Sequence, residues 1–592
     1  MRRKAEIVLR HVWRNRTTWI LLLPVLFVLI GYVLYPTWQT FVNSIRFNGH
    51  WGFELYRRFF TGDSLSNLEA LWNSVYLSLL SVIFSALIGV PLALIFHRYD
   101  FPGRRLFQMA AVMPMVLPSL VGVMSFLFLY GESGLVTRTV QHLLGLSTPP
   151  FTLSGVPGIL LVHTYTMYVY FYLTVSSALQ GLNPSVEEAA VNLGAGPWTV
   201  FRKITLPLLT PSLIAASLLV FMTSMASFSA PFLLAGGYRV LSLQIYFSKL
   251  NGDMQMAAVQ SVILSVVSIS FLLFMRWHQG RRDYHISEKG VSGRRREVRN
   301  PYVKWLLVFL GILMVAVLLL PHFTLILLSF VPEGTWTYQT YPTEFSLENY
   351  ILLMKDPSIW EPIRNSLWMA ALATAGNLLF GVLTAYLLVK RKFRGKNLLD
   401  ILVMLPWALP ATVVAMNLIF AFNVPAFFGF GHVLVGTFWI LPLAYFIRHI
   451  PLVVRPTSAA FAQLDDSLEE AARNLGAGWF TAFRRVILPL VLPGMMAGAL
   501  LAFVTAVGEF VSSVLLYTID NRPISIEIMN QLRMFNLGQA SAYAVYQILL
   551  IALVMFVSNR FLGVKSVCRC QGIFVPTRAR SGSGGVGERC SA

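Results

Sequence analysis

Four glutamates, set in two nearly identical polar stretches, are the residues best placed to do chemistry in a chain that is otherwise mostly apolar. SVEEAAVNLGAGPWTVFRKITLPLLTP occupies Ser185–Pro211 and SLEEAARNLGAGWFTAFRRVILPLVLP occupies Ser467–Pro493, 282 residues further on. Acids in the first turn of a helix meet the positive end of the helix dipole. Glu187, Glu188, Glu469 and Glu470 are therefore read as polar contacts for a partner. Nothing in the chain has the spacing of a hydrolase: there is no H-E-x-x-H and no carboxylate pair with catalytic spacing. Nor is there a phosphate loop, since the nearest fragment, Gly395-Lys396-Asn397, lacks both the earlier glycine and the hydroxyl of G-x-x-x-x-G-K-[ST]. No catalytic residue and no metal ligand set is assigned, and any ATP hydrolysis has to reside on another chain.

Outside the repeats, Glu509 in AVGEFVSS is the one carboxylate expected deep inside an apolar span. Ionisable groups are costly in a bilayer, and by default they point to a translocation path. The corresponding residue of the first copy is Ser227, so a site there is asymmetric. A structural role, with the acid satisfied by bonds between helices, is the competing expectation. His163 is expected to be a packed or interfacial side chain, and Arg448 and His449 are expected to snorkel to headgroups from the end of their span. Cys568, Cys570 and Cys590 all lie in the polar C-terminal segment. They are read as ordinary thiols, because a C-x-C pair alone falls short of the four ligands of a zinc site.

These residues need elements to hold them, and composition says which kind. The chain has 592 residues, 56% hydrophobic and only 12% charged, with a mean hydropathy of +0.65. Such values exclude an ordinary soluble domain. Stretches of the roughly 20 apolar residues that cross a bilayer recur about twelve times. In the first half they are expected near 18–40, 71–96, 106–130, 158–179, 208–234 and 256–277. The second set is expected near 305–330, 366–389, 398–422, 433–454, 490–517 and 541–562. The apolar run that follows the basic N-terminus is too long for a cleaved signal and is read as the first span.

A formal charge of +20 could attract nucleic acid, but position argues against it. Lys and Arg crowd the flanks of apolar spans: six in the first sixteen residues, nine from Arg276 to Lys304, five from Lys390 to Lys396 and six from Arg560 onward. Flanking charge of this kind sets orientation. It predicts both termini and both polar repeats in the cytoplasm, lipid as the surrounding partner, and no nucleic acid.

The chain is two copies of one half. NSVYLSLLSVIFSALIGVPLALIFHRYDFPGR from Asn73 is similar to NSLWMAALATAGNLLFGVLTAYLLVKRKFRGK from Asn365, and MPMVLPS at Met113 to LPWALPA at Leu405. An even number of spans in each copy relates the halves by an axis along the membrane normal. The expected fold is all-α and integral to the membrane, with two parallel six-helix halves related by a pseudo-twofold axis. Residues 1–280 form the first half and 281–300 a basic cytoplasmic linker. The second half covers 301–564, and 565–592 form a tail expected to be disordered from its polar, Gly- and Ser-containing composition.

Each polar repeat spells a capped helix, a turn and a second helix. Asn183 or Asp465 can cap the first helix, and Pro184 suits its first turn. Gly194-Ala195-Gly196 or Gly476-Ala477-Gly478 can end it. Ala189, Ala190, Ala471 and Ala472 keep its surface low, so that a partner can approach closely. An interfacial lipid-bound helix would instead be basic, with a strong aromatic and Leu face.

The pattern E-A-A, three residues, G-A, then F, I or V and L-P resembles the coupling loop of ABC importer permeases. It is carried by Glu188, Ala189, Ala190, Gly194, Ala195, Phe201, Ile204, Leu206 and Pro207. Glu470, Ala471, Ala472, Gly476, Ala477, Phe483, Val486, Leu488 and Pro489 carry it again. The likeness covers nearly the whole chain. In the fused two-half form it most resembles ferric-iron transport permeases, through SSVLLYT at Ser512 and RPISIEIMNQL at Arg522, while similar fused chains serve thiamine and aminoethylphosphonate. The resemblance implies a type I importer permease in the bacterial inner membrane. It further implies two copies of a cytoplasmic ABC ATPase that hold ATP and Mg, and a periplasmic substrate-binding protein. A stand-alone, ion-coupled secondary transporter could also have twelve spans in two parallel halves, but it would need coupling-ion residues inside the membrane.

Overall fold

The computed structural model describes residues 16–47, 49–61, 66–280, 296–336, 341–355, 357–465 and 467–570. The expected linker therefore lies outside the described residues over 281–295, and the expected tail over 571–592, including Cys590. The described chain is almost wholly helical. Ten helices are long and apolar enough to cross a membrane, and an eleventh is the pair Lys396–Ala408 and Ala411–Phe422, bent by 105°. The remaining expected span, near 433–454, is the helix Ile440–Ala462. Its Arg448, Arg455, His449 and internal Pro451 and Pro456 dilute the hydropathy that marks the others.

Each half is built on the same three-helix core. Ser66–Arg98 packs along Gly155–Gly181, and Leu206–Met225 packs against both; Pro357–Lys390, Ile440–Ala462 and Leu488–Val507 repeat the arrangement. Small residues let these backbones close up, as expected where helices associate without a hydrophobic drive. A Cβ on Gly89 would strike the Tyr168 carbonyl and Phe171 Cβ, and one on Gly498 would strike Leu452 O and Val453 Cα, in every case inside 3.0 Å.

The first span of each half leaves its own core and lies on the other half. Thr18–Ser44 rests against Met254–Gly280 and reaches Pro357–Lys390 and Ala411–Phe422; Pro301–Ser329 rests against Leu537–Cys570 and reaches Arg104–Ala110 and Ser119–Tyr130. The contacts are reciprocal in detail. The ring of Phe428 covers Gly31 and the ring of Phe107 covers Gly311, each leaving no room for a Cβ. Tyr32 donates to Phe428 O at 3.0 Å and Tyr165 donates to Leu318 O at 2.8 Å. Thr40 donates to Asn417 Oδ1 at 2.6 Å, and Asn417 donates to Thr37 at 3.1 Å.

Three π turns, Ile30–Leu34, Phe201–Thr205 and Phe483–Ile487, each lead into a helix whose second residue is proline: Pro36, Pro207 and Pro489. A proline ring crowds the carbonyl four residues back, and a wider turn relieves that clash. The helix thus continues from the polar repeats into the spans without a break. The only strands among the described residues are two short pairs, Arg46–Phe47 with His50–Trp51 and Tyr99–Asp100 with Arg296–Glu297. The second pair ties the end of the inter-half connection to the loop after Ser66–Arg98.

Candidate coupling loops and an intramembrane ion pair

The two polar repeats fold alike. In the first, Asn183 Oδ1 accepts from Ser185 N at 3.1 Å and opens the helix Pro184–Asn192. In the second, Asp465 Oδ1 accepts from Ser467 N at 2.9 Å and opens Ser467–Asn474. Hydrogen bonds from the Ser467 backbone and side chain hold the Asp465 carboxyl below its ordinary pKa. Both helices end with glycine in the left-handed region, Gly194 at φ 86° and Gly476 at φ 82°. The following amides return five residues, Ala195 N to Ala190 O and Ala477 N to Ala472 O, each at 3.0 Å. This is the closing bond of a Schellman turn, which satisfies the last free carbonyls. Gly196 and Gly478 then start the short helices Pro197–Val200 and Trp479–Ala482.

The four glutamates divide into two kinds, two of them exposed and two, Glu187 and Glu469, half-buried. Glu188 and Glu470 are exposed. Glu187 faces inward: Arg98 donates to its Oε1 at 2.6 Å, Thr205 donates to the same oxygen at 2.5 Å, and Arg98 also donates to Thr205 at 2.9 Å. That acid binds the loop to the end of Ser66–Arg98. In the second copy Lys390 stands where Arg98 does and donates to Leu464 O at 2.7 Å. The second loop is also wedged by aromatic rings: Trp479 stacks on Phe483 and donates to Tyr386 OH at 2.9 Å, and Arg391 lies over the Tyr386 ring. Ala189 and Ala471 are exposed, Ala190 is half-buried and Ala472 buried.

Two further residues in each loop complete it without having been singled out from sequence. Leu193 and Leu475, beside the turn glycines, are each 89% exposed, and Trp198 and Phe480 are exposed at equivalent places just after the turn. The available signal was a leucine between an amide residue and a helix-ending glycine, present in both copies of a polar segment. Each loop therefore presents an acidic helix with an apolar tip, repeated at equal positions on the two halves.

Glu509 lies where expected, between the helices Leu488–Val507 and Val511–Leu516, and is buried at 6% exposure. It has company that sequence spacing did not disclose. Arg448 Nε donates to Oε2 at 3.1 Å and Ser512 N donates to Oε1 at 3.1 Å, while His449 Nε2 stands 4.0 Å from Oε2. Arg448 and His449 therefore do not snorkel: the first is drawn inward by the buried carboxylate and the second is itself buried. Removing a charge from water is tolerable only with a well-placed partner, and Arg448 supplies it.

At the equivalent break in the first half, Ser227 bonds to His163 Nε2 at 2.8 Å, and Ser81 and Ser224 flank Nδ1 at 2.9 and 3.2 Å. His163 is thus a packed polar side chain. Among the described residues, no group of three or more His, Cys, Asp or Glu stands together as a metal site.

Known permeases are similar to this chain along most of its length. The family model described as binding-protein-dependent transport system inner membrane component matches residues 56–284 and again 377–563. A probable ABC transporter permease of Sinorhizobium fredii is 30% identical over 485 residues, covering 82% of this chain and 85% of that protein. A ferric transport system permease of Actinobacillus pleuropneumoniae is 27% identical over 547 residues, covering 90% and 77%. Among solved structures, a bacterial alginate ABC transporter bound to an alginate-loaded periplasmic protein aligns at 22% identity with a TM-score of 0.40, over 48% of this chain and 99% of that one. With both halves matched separately and most of its length shared with permeases, the chain belongs to the family of binding-protein-dependent transport system inner membrane components, and is a multi-span transport permease.

Proposed function

We propose that this chain is the permease subunit of an ATP-driven importer, forming its translocation path and coupled through its two polar loops to two copies of a separate cytoplasmic ATPase that carries ATP and Mg. The observation that carries the reading is the twinned loop: the same capped acidic helix, the same left-handed glycine and the same exposed leucine on both halves. Two equal handles suit two equal motor subunits. The acids Glu188 and Glu470 and the tips Leu193 and Leu475 supply polar and apolar contacts, and Ala189 and Ala471 allow close approach.

Motion of a handle has two mechanical routes into the membrane. One is the continuous helix from Pro197 to Met225, or from Trp479 to Val507. The other is a lateral tie, Arg98–Glu187–Thr205 in the first half. Closure of the ATPase pair on ATP would pull both handles together and rock the halves between inward-open and outward-open states. A periplasmic binding protein would load cargo at the opposite face. Both termini would then be cytoplasmic, in the inner membrane.

Ferric iron is the proposed cargo, on the strength of the relatives named for ferric transport. The same architecture would serve thiamine, aminoethylphosphonate or another small solute. Uptake of radiolabelled ferric ion into proteoliposomes containing the chain, the ATPase and the binding protein should require ATP and should persist when ionophores collapse proton and sodium gradients. Uptake driven by an ion gradient without ATP would instead establish the secondary-transporter reading.

A further inference from the structure

The two halves meet beside the broken fifth spans. In the first half the span stops at Met225 and resumes as Ser229–Leu234; in the second it stops at Val507 and resumes as Val511–Leu516. The residues in the breaks are Ala226-Ser227-Phe228 and Gly508-Glu509-Phe510, at equivalent positions of the two copies. Phe228 and Phe510 are both buried and approach each other across the interface, with ring centroids 6.0 Å apart. Phe232 adds a second contact with Phe510 at 5.8 Å, and Tyr246 packs edge-on to both first-half rings.

The backbone of each break is held in the same way. Ser242 donates to Ser227 O at 2.6 Å, and Ser525 donates to Glu509 O at 2.9 Å. These serines open the helices Leu241–Leu250 and Ile524–Arg533, whose far ends each send a cation across to the other half. Lys249 Nζ donates to Leu515 O at 2.5 Å, at the carbonyl end of Val511–Leu516, where a helix dipole favours positive charge. Arg533 lies over the Phe232 ring at 5.6 Å. The two cross-contacts are reciprocal in placement although their chemistry differs.

We propose that Phe228 and Phe510 form the seal that closes the outer mouth of the path, and that Glu509 and Arg448 are positioning residues that hold the Phe510 side of the seal shut. Glu509 fixes its break at four points: two carboxylate oxygens bound to Arg448 Nε and Ser512 N, and a carbonyl bound to the Ser513 and Ser525 hydroxyls. The first half does the same work with neutral groups, Ser227 and His163. The asymmetry follows: the Phe510 side depends on a buried acid paired with a half-buried arginine, and removing the arginine leaves that buried charge uncompensated, while the Phe228 side carries no such pair. The carboxylate acts through the hinge and does not face cargo. The inference rests on the permease reading, and on loops and seal lying at opposite membrane faces.

The test uses the full chain with Cys568→Ser, Cys570→Ser and Cys590→Ser, in cells producing the whole transporter. A single Phe510→Cys should react slowly with a membrane-impermeant thiol reagent added outside. Adding Glu509→Gln or Arg448→Gln should speed labelling by about tenfold or more, with both together no faster than either alone. Glu509→Asp should restore slow labelling, which a folding defect would not. Joining Phe228→Cys to Phe510→Cys with a short methanethiosulfonate crosslinker should stop the ferric uptake that the same double variant shows unlinked, and reduction of the link should return it to that unlinked rate. Labelling that is equally slow in the Glu509→Gln and Arg448→Gln chains, or uptake that survives the crosslink, would overturn the proposal. Absence of ferric uptake in the unmodified transporter would count against iron as cargo, and the labelling arm would still decide the seal.

Discussion

At the scale of single residues, the paired glutamates are not equivalent, and the difference matters for transmission of force. Glu188 and Glu470 face out, whereas Glu187 is spent on Arg98 and Thr205. A half-exposed ion pair of this kind contributes about 1 kcal/mol or less to stability, so Arg98→Gln should leave folding and ATPase binding nearly intact. Its effect should fall on coupling: fewer cargo ions imported per ATP hydrolysed in proteoliposomes, with hydrolysis itself maintained. An unchanged ratio would mean the lateral tie carries no force. The sequence announced the acids but not this division, because it turns on Arg98, 89 residues away in the chain. The same holds for Arg448, whose approach to Glu509 across 61 residues turned a cation expected to reach the headgroups into the half-buried partner of a buried acid.

At the scale of elements, the loops show how much local chemistry can specify. The caps at Asn183 and Asp465 and the glycine stops are short-range features, set by which side chain reaches which free amide, and they were legible from residue types alone. Gly194 and Gly476 both take φ above +80° with open space around the missing Cβ. Substitution therefore strains the backbone without a clash, at about 1–2 kcal/mol for a left-handed residue. Gly194→Val and Gly476→Val should accordingly misdirect the apolar tips while leaving the spans folded. ATPase co-purification should fall for each and fail for the pair, and full retention in the double variant would show that the turn geometry is dispensable. The π turns ahead of Pro207 and Pro489 were not foreseen. Proline at a helix start reads as a boundary, whereas here a widened turn absorbs the ring and keeps handle and span in one rigid piece.

At the scale of the whole molecule, hydropathy identified the spans but carried no information on which helix each would touch, since lipid and a neighbouring helix are equally apolar. The exchange of first spans between halves is the consequence. Gly31 under Phe428 and Gly311 under Phe107 are the points where that exchange is closest. Gly31→Leu and Gly311→Leu should each lower the thermal midpoint of the detergent-purified chain, reflecting the roughly 1–3 kcal/mol cost of overpacking. Equal midpoints would show that the first spans dock loosely. Two halves clasped in this way can rock as units, which is what paired external handles require. That requirement is tested most directly by the affinity of the purified ATPase for the full chain carrying Leu193→Asp, Leu475→Asp or both. A charge at a buried apolar contact should weaken binding by about tenfold or more for each handle, and the double variant should bind no ATPase. Wild-type affinity in the double variant would contradict the account.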